Sequence, residues 1–73
     1  MQKRSPHGTE PLPLPTPQAV RESRLLAGLS QVAAAKLVHL GAGTRWAEYE
    51  NGARNFDLAR WELFLLLTGQ RKL

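Results

Sequence analysis

Helix punctuation is the feature that most constrains this chain. Between Thr16 and Gly69, residues that start helices alternate at short intervals with residues that stop them, so only short helices can form. Thr16 is a good N-cap, and Pro17 suits the first helical position, where its missing N–H costs nothing. The helix begun there runs through Ala27 and stops at Gly28, a residue that takes a left-handed cap without strain. Ser30 caps a second helix, read as Gln31 to Leu40 and ended by Gly41. The segment Gly41-Ala42-Gly43-Thr44 is a turn, with Thr44 the better cap for a third helix running to Asn51 and closed by Gly52. Asp57 caps a last helix reaching Thr68, with Gly69 beyond it. No segment alternates with a period of two. The expectation is an all-α, compact domain of four to five helices over residues 16–70, the fifth being a short turn between Ala53 and Phe56.

The helix faces name a core. Ala34, Leu37 and Val38 share one side of the second helix, and Ala35 is small enough to admit a neighbouring helix. Trp46 and Tyr49, three apart, point inward together, and Trp61 has the same helical spacing to its apolar neighbours. Core packing is therefore the expected role of these aromatics, rather than stacking on bases. Ahead of the helices, residues 1–15 read as a disordered tail. The alternation of Pro11, Pro13, Pro15 and Pro17 favours extended backbone, giving a stiff linker with a basic arm at Lys3 and Arg4. A docking peptide for a partner groove is the alternative.

Composition narrows the class. A chain of 73 residues holds one small core, and the absence of cysteine removes disulfide frameworks and thiolate zinc sites. His7 and His39 are too far apart in sequence to suggest a metal pair, and no cofactor is expected. Lys3 and Arg4 are followed by no apolar stretch, and Leu63 to Leu67 is too short to span a bilayer. A soluble protein of a reducing, cytoplasmic compartment is expected, with no membrane and no small-molecule substrate among its partners. The net charge of +4 is mostly terminal. Lys3 and Arg4 against Glu10 give +1 in residues 1–15, and Arg71 with Lys72 gives +2. Six basic against five acidic residues leave only +1 for 16–70. Charge alone is a weak argument for an anionic partner.

The motifs say more. Val20-Arg21-x-x-Arg24-x-x-x-Gly28-Leu29-Ser30-Gln31-x-x-Ala34-Ala35-x-x-Val38, followed by Trp46-x-x-Tyr49-Glu50-Asn51-Gly52, resembles the Xre/Cro type of phage-repressor-like helix-turn-helix domains. The match covers residues 16–52, and Arg60-Trp61-Glu62-Leu63-Phe64-Leu65 is similar to the closing helix of a plasmid- and phage-borne subset. Two features depart from the pattern: His39 stands where a small residue or glycine is usual, and the turn is one residue longer. The resemblance implies a repressor-like fold with Leu29 to Gly52 as the DNA-reading unit, its second helix in the major groove.

By the same resemblance, Gly43, Thr44 and Arg45 face base edges. Arg45 can fork onto guanine, and Glu48 either accepts from cytosine or orients Arg45. Gln31 is expected on a phosphate, with Lys36, Asn51, Arg54 and Asn55 as further backbone contacts. Arg24 and Glu50 would form an ion pair joining the first helix to the end of the third.

The last helix shows two apolar sides on a helical wheel. Leu58, Trp61, Phe64 and Leu65 would close the domain, leaving Ala59, Leu63, Leu66 and Leu67 for a second copy. Double-stranded DNA carrying an inverted repeat, read by a homodimeric repressor, is the expected partner. The alternative is an antitoxin-like or adaptor protein that uses the same fold and the apolar C-terminal helix to hold another protein. No nucleophile–base set, phosphate loop or paired-carboxylate cleft can be assembled, so enzymatic activity is not expected.

Overall fold

The computed structural model describes residues 12–72, and over them the chain is all-helical. Four helices follow in order, α1 (Pro17–Leu26), α2 (Gln31–Leu37), α3 (Gly43–Asn51) and α4 (Leu58–Leu67), with no strand among the described residues. The basic arm at Lys3 and Arg4, and most of the segment read as a disordered tail, lie outside that range.

Three helix starts rest on side-chain caps. Thr16 Oγ1 accepts from the Ala19 N–H, Ser30 Oγ from that of Ala33 and Asp57 Oδ2 from that of Arg60, each at 3.1 Å. Each bond satisfies a first-turn donor that the helix itself leaves without a partner. The fourth start differs from expectation. α3 begins at Gly43, not Thr44, and its N-cap is Ala42, extended at φ −156° and ψ 156°, with no side-chain cap bond. A tertiary contact places it instead. A Cβ on Gly43 would lie 2.8 Å from Val32 Cγ2 and 3.3 Å from the Val32 backbone N and Cα, so only glycine lets α3 start this close to α2.

The end of α2 is also corrected: it stops at Leu37, and Gly41 plays no part in stopping it. His39 takes the left-handed conformation at φ 63°. Its N–H donates to Lys36 O at 3.2 Å, and the Leu40 N–H reaches back to Ala35 O at 2.9 Å. This paired ending is the one α1 makes with Gly28, where Gly28 N–H bonds Leu25 O and Leu29 N–H bonds Arg24 O. Histidine is among the residues found more often than most in this region, although a non-glycine residue there costs about 1–2 kcal/mol. The turn reverses the chain and brings Leu40 back onto the core.

The core is aromatic at its centre. Trp46, Phe56 and Phe64 are almost wholly buried, joined by Tyr49, Trp61, Val20, Ala34, Ala35 and Val38. Trp46 meets Phe56 edge-on with centroids 5.2 Å apart, while Tyr49 stacks on Phe56 at 4.2 Å. Such pairs add about 0.5–1.5 kcal/mol each beyond area burial. Phe56 comes from the segment read as a possible fifth helical turn, which is not helical. Its role is to send one ring inward. Leu12, in the Pro-rich segment ahead of α1, is half-buried and packs on the same core. α3 packs against both α2 and α1, and α2 touches α4. Beyond α4, Gln70 ties back to α1: Ser23 Oγ donates to Gln70 Oε1 at 2.8 Å, and Gln70 Nε2 donates to Ser23 O at 3.1 Å. Among the described residues, no helix is long and apolar enough to cross a membrane.

Candidate nucleic-acid interface

Three of the helices converge on one carboxylate. The Glu50 side chain, 7% exposed, accepts from Arg24 Nε at 2.6 Å and Nη2 at 3.3 Å, from Trp46 Nε1 at 2.6 Å and from Gln31 Nε2 at 3.1 Å. Arg24 also donates through Nη1 to Leu29 O at 2.9 Å, at the entrance to α2. Three helices thus meet at Glu50: α1 through Arg24, α2 through Gln31, and α3 through Trp46 and Glu50 itself. Burial alone would push the Glu50 carboxyl up. The hydrogen bonds from Arg24, Trp46 and Gln31, with the charge of Arg24, outweigh that and hold it below the ordinary glutamate value. Gln31, expected on a phosphate, directs its amide N–H at this carboxylate.

The first turn of α3 divides its residues between two tasks. Thr44 and Arg45 are exposed, as a surface that reads another molecule requires. Gly43, expected to face base edges with them, lies against Val32 of α2. Its missing side chain is what admits Val32 this closely. Glu48, one turn further on, is flanked by two arginines. Arg45 Nε pairs with Glu48 Oε1 at 3.2 Å, and Arg54 Nε donates to the same oxygen at 2.8 Å.

Beside this turn lies an open cleft of about 390 Å³, lined by His39, Thr44, Arg45, Glu48 and Arg60 among others. Arg60, from α4, is the member of this set that sequence reasoning misses. Its Nε donates to Val38 O at 2.9 Å and its Nη1 to Asp57 Oδ1 at 3.4 Å, so it bridges the end of α2 to the start of α4. No sequence signal points to the Val38 contact, because it spans 22 positions.

The remaining candidates are scattered by role. Lys36 is exposed in the last turn of α2. Asn51, exposed, spends its Oδ1 on the Ala53 N–H at 2.9 Å, helping to close the end of α3, while Asn55 is exposed in the loop beyond. On α4, Ala59 and Leu67 are exposed and Leu66 is half-buried, but Leu63 packs against the domain's own core. The apolar side left for a second copy is therefore narrower than the wheel suggests. In comparisons with known proteins, no protein-family model matches the chain and no curated protein matches it.

Proposed function

We propose that this chain is a sequence-specific DNA-binding transcriptional regulator of the Xre/Cro type, acting as a repressor with α3 in the major groove. The observation that carries the reading is the mounting of α3. Glu50 and the Gly43–Val32 contact fix the helix against α2, while Thr44 and Arg45 stand exposed at its start. A rigid helix with its first-turn polar side chains outward suits reading base edges in the major groove. Arg45 would fork onto guanine O6 and N7, and Arg54, Lys36 and Asn55 would approach phosphates. A homodimer on an inverted repeat completes the reading, with the protein cytoplasmic and associated with the bacterial nucleoid.

Selection of bound DNA from a random pool tests the proposal directly, followed by a gel-shift titration of the selected duplex with Arg45→Ala. The expected result is an enriched, symmetric sequence whose binding falls by about 1–3 kcal/mol in the variant and relaxes at one base pair of each half-site. A second reading, an antitoxin-like or adaptor protein, is favoured by the exposed apolar pair Leu25 and Leu26 on α1. Such a protein would enrich no sequence, and Arg45→Ala would leave its partner binding unchanged.

A further inference from the structure

Glu48 is half-buried on α3, and both of its ion-pair partners meet the same atom, Oε1. A carboxylate reading cytosine must offer an oxygen to a base amine; Oε1 already serves two guanidinium groups, which leaves Oε2 alone on a side chain 33% exposed. The side chain is also unwelcome near a phosphate backbone unless it is paired. Arginine offers five N–H donors in a rigid fork. Arg45 meets Glu48 through Nε, which leaves the Nη1–Nη2 end of its half-exposed side chain for another partner. That end carries two parallel donors of the kind that matches guanine O6 and N7. Arg54, which follows α3, is drawn to the same carboxylate and so kept beside the helix.

We infer that Glu48 is a positioning residue for the DNA-reading arginine, aiming the end of Arg45 outward and restraining Arg54, without reading a base itself. The inference rests on the proposed DNA-binding function. Its consequence is selectivity: Glu48 discourages both arginines from pairing with phosphates on unrelated DNA, and costs little where Arg45 finds its guanine.

The test uses the full chain, the duplex it selects from a random pool, and a scrambled duplex of equal length. Affinities of the unmodified protein, Glu48→Ala and the isosteric Glu48→Gln are measured across a salt series. Glu48→Ala is expected to bind scrambled DNA about five- to tenfold more tightly, with a log–log salt slope steeper by about 0.9 for each additional phosphate neutralised. Its affinity for the selected duplex should not rise to match, so the ratio between the two narrows, and base preference should relax where Arg45→Ala relaxes it. Glu48→Gln, which keeps an acceptor but not the charge, should fall between. Two results would overturn the inference. One is loss of preference in Glu48→Ala at a base pair that Arg45→Ala leaves untouched, which marks direct readout. The other is unchanged affinity on both duplexes, which marks a merely solvated charge. An unmodified protein that enriches no sequence overturns the DNA-binding reading, and this inference with it.

Discussion

Glu50 concentrates more of this protein's organisation than any other side chain described. A carboxylate that is 7% exposed and accepts from Arg24, Trp46 and Gln31 exchanges hydration for four hydrogen bonds, two of them at 2.6 Å. Net stabilisation by such a pair is small, but stranding one partner costs about 3–5 kcal/mol. That is comparable to the whole net stability of a core this size. The pH dependence follows from the sign of the shift. The Glu50 carboxyl is held below its ordinary value of about 4.5, so its stabilising contribution is fully present above that value. It is lost as the pH falls through the lowered folded-state value. Urea titrations across the acid range should therefore show a limb of falling stability in the natural protein. Glu50→Gln should flatten that limb while lowering stability near neutral pH.

At the scale of the element, the junction of α2 and α3 is where sequence reasoning and structure part most. Cap chemistry points to Thr44, because a threonine hydroxyl can satisfy a first-turn donor and alanine cannot. The helix begins at Gly43 all the same, without a side-chain cap and with Gly43 lying close against Val32. Gly43→Ala should cost about 1–3 kcal/mol in urea unfolding, the range for forcing extra atoms into a packed contact. Val32→Ala in the same chain should restore only part of that loss. It removes Cγ2, the nearest atom at 2.8 Å, but leaves the Val32 backbone N and Cα at 3.3 Å.

At the scale of the molecule, the exposed apolar residues mark where a partner would sit. Leu67 is 55% exposed near the end of α4, beside half-buried Leu66, with Ala59 exposed toward the start of the helix. If a second copy covers this side, Leu67→Glu would place a charge in an apolar contact. The expected outcome in light scattering is a shift from dimer to monomer at a concentration where the natural protein stays paired. Binding to the full inverted repeat should weaken accordingly, because two recognition helices about 34–36 Å apart no longer act together. Binding to an isolated half-site should not change. An unchanged mass in both proteins would remove the α4 dimer and leave the proposed DNA-reading role of α3 as a separate question.

Helix punctuation carries the sequence reading a long way. The starts at Thr16, Ser30 and Asp57, and the ends at Gly28, Gly52 and Gly69, need only neighbours within a turn or two of chain. Capping is local chemistry, which is why single residues announce it. The inward aromatics Trp46, Tyr49 and Trp61 are legible for a related reason, since helical spacing repeats within one element. Tertiary structure alone decided the rest. Phe56 enters the core from a loop with no periodicity to betray it, and Ser23 meets Gln70 across 47 positions. Thr44 lies inside α3 rather than capping it, and His39 takes a turn usually given to glycine, with Leu40 beyond it packed on the core. For the candidate residues, the sequence names the types, and their mutual contacts are set in three dimensions. The placement of Gly43 against Val32, and of Glu48 between Arg45 and Arg54, depends on how elements meet in space, which spacing along the chain does not encode.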